Sequence, residues 1–285
     1  MSARARTPLW ERAVVYAVVF GAALLVALPY IWMVLAAFKT PDEINRYPPP
    51  ILPAEWRWQN FVDAWNKAPF GTFFMNSAIV TGAIVAIQLT TSTLAAYAFA
   101  RFQFPLKNVL FLCYLLILMV PSQVTLIPNY VTIRNLGLLT GQTQLKAYAA
   151  LILPFMASGF GTFLIRQQFL TIPSELIEAA IVDGAGTLRI LRSIMVPLSR
   201  AALSTFALLA AMWHWNDFFW PLIVTNQLST RTMPLGLAVF TQGEAGTEWN
   251  LLMAAAIFTA LPIVVLFLFT QRQFIQGIAN AGLKG

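Results

Sequence analysis

Charged residues divide this sequence into long uncharged stretches: 13–38, 68–100, 108–133, 147–165 and 249–271, with a sixth, 201–216, that continues past Asp217 to 230. A helix needs about 20 mainly apolar residues to cross roughly 30 Å of hydrocarbon. Five stretches reach or nearly reach that length, and the sixth does so only if it includes or ends beside Asp217. Stretches such as Leu-Leu-Val-Ala-Leu and Ile-Val-Val-Leu-Phe-Leu-Phe do not alternate apolar and polar residues, which excludes the strands of a membrane barrel. The spacing predicts an all-α integral membrane protein with six spans, at about 13–38, 70–100, 108–121, 147–165, 201–221 and 249–271. No repeat or linker separates a second domain, so 1–285 reads as one membrane domain. Only 10% of the 285 residues are charged, against about 25% in soluble domains. A soluble enzyme or soluble binding module is excluded.

Eleven Lys and Arg fall in 1–12, 101–107, 166–200 and 272–285, and seven in 39–67, 134–146 and 217–248. Basic connections stay cytoplasmic, so both termini are expected inside. The net charge of +7 is scattered between apolar blocks, unlike the clustered face that binds nucleic acid. The first stretch is too long for a signal peptide and lacks a small-residue cleavage site, so an uncleaved helix is expected. Segment 39–67, with its prolines and Trp56, Trp58 and Trp65, reads as an irregular outer segment lying at the membrane interface. Pro121 is expected to stop the third span and leave 122–146 partly structured.

The chain lacks a phosphate-cradling Gly-x-x-x-x-Gly-Lys-Ser/Thr loop, a Gly-x-Ser-x-Gly elbow and a His-Glu-x-x-His pair. Its one cysteine, Cys113, excludes an internal disulfide. The lone His214, between Trp213 and Trp215, reads as a packing or interfacial residue. The segment that breaks the pattern is 166–200. Pro173 stops the preceding chain, Ser174 is placed to cap a short helix with Glu175 in its first turn, and Gly184 and Gly186 end it. Thr187 is placed to cap a second amphipathic helix through Ile190, Leu191 and Ile194, and Pro197 starts the return to the membrane. Two short helices with small residues at the bend form a compact knob. From the residues alone this is equally an ordinary amphipathic hairpin on the membrane surface.

The same segment resembles the EAA loop of ABC-importer permeases. Glu178-Ala179-Ala180, three residues, Gly184, nine residues, Ile194 and Pro197 match that loop, with Val196 where Leu is usual. Asn76-Ser77, Ala95 through Phe102, Trp215-Asn216-Asp217 with Trp220-Pro221-Leu222, Met253-Ala254-Ala255 and the tail from Gln271 are similar to the carbohydrate-uptake branch (maltose-G-like and glycerol-3-phosphate-E-like components). The resemblance covers nearly the whole chain.

The resemblance implies a type I importer permease in the bacterial inner (plasma) membrane, crossing it several times and working without catalysis or a cofactor of its own. ATP and Mg would be bound by a partner ATPase dimer, gripped through Glu175, Glu178, Ala179, Ala180, Asp183, Gly184, Ala185, Ile194 and Pro197. The tail, at Gly277 and Lys284, would also touch the ATPase. A second homologous permease would complete the pore and an external solute-binding protein would deliver a sugar, oligosaccharide, polyol or glycerol-3-phosphate. Polar and aromatic residues suited to a lined path are Asn76, Gln88, Gln123, Asn129, Tyr130, Asn216, Asp217 and Trp220. Helix–helix hydrogen bonding is an equal reading of each. The alternatives are a permease for a non-carbohydrate solute, or an ion-coupled secondary transporter. The spans hold almost no ionisable residue for the latter.

Overall fold

A computed structural model describes residues 9–241 and 246–282, with side chains over 10–241 and 246–271. Helices dominate, and no strand occurs among the described residues. The chain forms two contact units, one running to Ala68 and including Leu237–Phe258, the other comprising Pro69–Gly236 and the chain from Thr259.

The first unit begins with α1, Leu9–Ala37. Its apolar window is wholly unburied within the chain, so lipid or another chain must cover it. Its end is fixed by polar side chains. Asn60 Nδ2 donates to the carbonyls of Ala37 and Lys39 at 2.9 Å, satisfying acceptors that a helix C-terminus leaves free. Lys39 is fully buried. Its ammonium donates to the Pro50 carbonyl and lies 4.0 Å from the Trp32 ring centroid. Thr40 and Glu43 then form a capping box at the start of α2, Pro41–Asn45. Phe38 packs edge-on against Trp56 and Trp58 and tilts against Phe61, beside α3, Gln59–Asn66. The outer segment expected to be irregular thus has an aromatic core and two short helices. Trp56 and Trp58 stay more than half exposed.

The second unit is built on α4, Phe70–Arg101. It is followed by α5, Lys107–Leu116, and α6, Ser122–Asn135, meeting at 98° across Pro121. Of the segment 122–146, expected to be partly structured, residues 122–135 form α6 and 136–143 are turns and irregular chain. Pro121, lacking an N–H, ends one helix but serves as N-cap of the next. Pro128 is accommodated inside α6, where Thr132 Oγ1 donates to the Pro128 carbonyl. Next come α7, Gln144–Ile152, and α8, Gly159–Leu170. They bend by 52° at a break that the uncharged run 147–165 did not reveal. The following short helices are α9, Ser174–Val182, α10, Thr187–Ile190, and α11, Val196–Leu198, with a π-helical turn, Leu191–Met195, before α11. Then come α12, Arg200–Trp215, α13, Phe219–Val224, and α14, Met233–Gly236. The last helix is α15, Trp249–Gly282.

Close helix approach sets the core of this unit. A Cβ on Gly161 would land in the Phe206 ring, and one on Gly236 in the Phe73 ring, so only glycine lets α8 meet α12 and α14 meet α4. Three helices are individually long and apolar enough to cross a membrane: Trp10–Ala37, Phe70–Arg101 and Trp249–Gln271. Three bent pairs pass the same test together, namely α5–α6, α7–α8 and the 187–198 stretch with α12.

Candidate functional site

The knob between α8 and α12 is a compact elbow. Pro173, not Ser174, occupies the N-cap of α9, with φ −56° and ψ 139°. Ser174 is therefore already helical and its hydroxyl does not cap. The same correction applies to Thr187, because Gly186 holds the N-cap of α10. At the other end the sequence reading is sharper. Gly184 has φ +78°, its N–H donates to the Ile181 carbonyl at 2.9 Å, and the Ala185 N–H reaches back to the Ala180 carbonyl at 2.8 Å. This pair of bonds is the Schellman cap, which requires a left-handed residue. Gly186 has φ −73° and is not left-handed.

Two faces result. Ile177, Ala180, Ala185 and Ile194 pack onto the buried cluster around Ile165, Phe169 and Met195. Glu175, Glu178, Ala179, Asp183 and Gly184 are exposed, and Pro197 is half-buried. The exposed face also carries Leu176, Ile181, Val182 and Leu188, with Val182 87% exposed. Sequence reasoning missed these four. A run of exposed apolar residues beside carboxylates on a capped helix is the composition of a partner surface. Leu176, Ile181 and Val182 on the nine-residue α9, with Leu188 in α10 just past the bend, were the available signal.

The base of the elbow is tied to the long helix. Arg101, in the last turn of α4, donates from Nη2 to the carbonyls of Phe169 and Ile172 at 2.7 and 2.6 Å. It satisfies acceptors at the C-terminus of α8 just where the chain turns away. Arg166 donates in the opposite sense, from Nε to the Phe99 carbonyl at 3.1 Å. These bonds join the end of α4 to α8 and to Ile172 at the start of the elbow.

A second polar assembly holds the α7–α8 break. A helix broken inside an apolar region exposes carbonyls that must find donors. Gln88 Nε2 donates to the Phe155 carbonyl at 2.8 Å and Thr91 Oγ1 to the Met156 carbonyl at 2.9 Å. Ser158 Oγ accepts the Gly161 N–H at 3.1 Å and caps α8. His214 Nε2 lies 3.1 Å from Gln88 Nε2, and its ring packs 5.0 Å from that of Phe155. Because Gln88 Nε2 carries the hydrogens, the imidazole Nε2 accepts and the proton resides on Nδ1.

The other proposed path residues divide into two groups. Asn76, 1% exposed, is saturated: Nδ2 donates to the carbonyls of Ser229 and Arg231, and Oδ1 accepts from Gln144 and Tyr148. Trp220 is buried and donates from Nε1 to the Ala150 carbonyl at 3.1 Å. With Gln88, these residues face packing. Gln123 and Asn216 are exposed, and Asn129, Tyr130 and Asp217 are half-buried. Asp217 Oδ1 accepts the Trp220 N–H at 3.3 Å. With His214, Thr81 and Thr232 it lines a cavity of about 10 Å³, room for about one water. Gly277 lies in α15, whereas Lys284 lies outside the described residues. Among the described residues no cluster of His, Cys, Asp or Glu could hold a metal.

The fold is that of a helical membrane protein with an exposed capped elbow and with a broken helix whose carbonyls are satisfied from a neighbouring helix. The comparisons agree, since residues 88–280 match the family described as the inner membrane component of binding-protein-dependent transport systems. The chain belongs to that family and is a permease. It is 37% identical over 265 residues to the sn-glycerol-3-phosphate transport system permease protein UgpE of Yersinia pestis bv. Antiqua, covering 90% of this chain and 92% of that one. It is 39% identical over 264 residues to the probable ABC transporter permease protein YurM of Bacillus subtilis, covering 92% and 85%. A crystal structure of a bacterial ABC transporter that imports the acidic polysaccharide alginate contains a similar chain, with TM-score 0.80, 21% identity, and 96% and 100% coverage. At that identity the likeness establishes the fold.

Proposed function

We propose that this permease is half of the pore of an ATP-driven importer in the bacterial plasma membrane. Its contact units act together as one membrane domain with six spans and both termini cytoplasmic. The elbow is seated in a cytoplasmic ATPase, a second permease closes the pore, and an external solute-binding protein loads it. ATP and Mg belong to the ATPase. The observation that carries this reading is the two-faced elbow. Its small and acidic residues, Glu178, Ala179, Asp183 and Gly184, point outward with Val182, while Ile177, Ala180 and Ile194 lock it to the core.

The mechanism is rigid-body coupling. A partner shifts a two-state equilibrium only by binding one state more tightly. A soft contact would dissipate that difference in local bending. The Schellman cap at Gly184 and the Arg101 tie make the contact stiff, so closure of the ATPase turns α4 and α8 instead of deforming the elbow. The substrate is a carbohydrate, polyol or phosphorylated polyol. Support comes from the relatives named for sn-glycerol-3-phosphate, and the path draws on Gln123, Asn129, Tyr130, Asn216 and Asp217. The permease does no chemistry on its cargo.

The test is ATP hydrolysis by the reconstituted complex. Glu178→Lys or Gly184→Pro leaves membrane insertion intact and abolishes hydrolysis stimulated by the loaded binding protein. Unchanged stimulation in both variants refutes the reading.

A further inference from the structure

Where α4 ends and α5 begins, the chain turns through 102–106 and forms an open basin of about 460 Å³ against the side of α8. Its polar side chains are two cations, Lys107 and Arg166, and two amides, Gln103 and Asn108. No carboxylate lines it, and among the described residues no carboxylate pairs with either cation. The cations are held in place by uncharged groups. Lys107 Nζ donates to the Phe102 carbonyl at 2.8 Å. Arg166 is fixed through Nε to the Phe99 carbonyl, with its guanidinium carbon 4.1 Å from the Phe111 ring centroid. These anchors leave the Arg166 Nη edge and two of the Lys107 protons for another acceptor.

Two like charges converging without a counter-charge raise the local potential and favour an anion. The first turn of α5, a ten-residue helix with no side-chain cap, opens on the same basin at Asn108 and Val109 and adds its partial positive charge. A phosphate matches this set: it presents several acceptor oxygens for the guanidinium fork and a charge for the ammonium.

We propose that this basin binds a phosphate group through Lys107, Arg166 and the amides of Gln103 and Asn108. The group belongs either to the headgroup of an anionic phospholipid or to a small soluble phosphate ester. The basin sits at the end of a 32-residue apolar helix, which is headgroup depth for lipid. It is also linked to the base of the elbow by two hydrogen-bond steps through α4. Arg166 grips Phe99, and Arg101, two residues on, grips the start of the elbow at Phe169 and Ile172. An occupied basin stiffens that base. The inference stands apart from the choice of transported solute.

The test uses the full chain in phosphatidylcholine nanodiscs containing a minor fraction of phosphatidylglycerol, with retained lipid measured by native mass spectrometry. Lys107→Gln and Asn108→Asp each weaken retention about tenfold, the loss of roughly one charge-assisted contact, whereas Lys107→Arg preserves it. Asn108 is exposed, and an acid in the first turn of a helix favours folding, so this variant separates binding from stability. Retention that resists excess glycerol phosphate and inorganic phosphate assigns the site to lipid. Displacement by either, or their binding in discs without phosphatidylglycerol, assigns it to a soluble phosphate. The proposal is overturned if the two weakening variants equal the parent, or if phosphatidylglycerol is retained no better than phosphatidylcholine and neither soluble phosphate binds. That failure leaves the permease reading intact, since stimulated ATP hydrolysis reports it separately.

Discussion

Asn76→Ala is the most informative perturbation of the fold. The side chain is almost wholly buried and joins four groups from two distant segments: the carbonyls of Ser229 and Arg231, the Gln144 amide and the Tyr148 hydroxyl. Alanine leaves all four without this partner. A hydrogen bond within membrane proteins contributes about 0.6 kcal/mol on average, and a buried group left unpaired costs about 1–3 kcal/mol. Some of the four will recruit water, so the loss should be about 2–4 kcal/mol. Tyr148→Phe removes one donor while Asn76 Oδ1 keeps Gln144, so it should cost about 1 kcal/mol or less. The assay is thermal unfolding in detergent by tryptophan fluorescence, with hydrogen exchange over 226–236. Asn76→Ala should lower the midpoint several-fold more than Tyr148→Phe and expose 229–233 to exchange. If the two variants match, or exchange there is unchanged, the assignment of Asn76 as the bracket for this segment is refuted.

Gly161→Ala should destabilise by about 1–3 kcal/mol through the forced displacement of Phe206, whereas Gly82→Ala, with open space at its Cβ, should be neutral or slightly stabilising; the same unfolding assay compares them. Gln88→Leu should cost about 1–2 kcal/mol by orphaning the Phe155 carbonyl, with faster hydrogen exchange at 156–161 and no change at the elbow. Glu43 accepts the N–H groups of Thr40 and Ala54 at 2.8 and 2.7 Å, which hold its carboxyl below the ordinary range. Its folded value is depressed, so its contribution is fully present above the ordinary glutamate range of about 4–5 and is lost as pH falls through the lowered value. Hydrogen exchange at Thr40 and Ala54 should rise on that descent in the parent and be pH-independent, after correction for intrinsic rates, in Glu43→Gln.

Much of the architecture was legible because apolar run length and proline placement are local properties. The runs at 13–38, 68–100 and 249–271 became unbroken helices, and Pro121 marked a real break. Gly184, six residues after Glu178, was readable as a cap because only a left-handed residue closes that bond pattern. Thr40-x-x-Glu43 was an available capping box that the reading passed over. What escaped depends on contacts far apart in sequence. Nothing near Asn76 announces that its partners lie up to 155 residues away, so a polar residue in an apolar run looked like path lining. The break at 156–158 was hidden because its carbonyls are satisfied by Gln88 and Thr91 from α4. Lys107 and Arg166, isolated cations in sequence, share a basin only through the crossing of α5 and α8. Ser174 and Thr187 looked like caps, but Pro173 and Gly186 already held those positions.

The central claim is that the elbow is the surface gripped by a separate ATPase, and site-directed thiol protection tests it most directly. In a Cys113→Ser background, a cysteine replacing Val182, the most exposed apolar residue of the elbow, is labelled by a membrane-impermeant maleimide in inside-out vesicles, with and without the ATPase subunits. The account predicts rapid labelling of the permease alone and strong protection once the ATPase is assembled, with no protection of a control cysteine at Gln103. Equal labelling at position 182 in both samples, with an intact and active ATPase present, would contradict it.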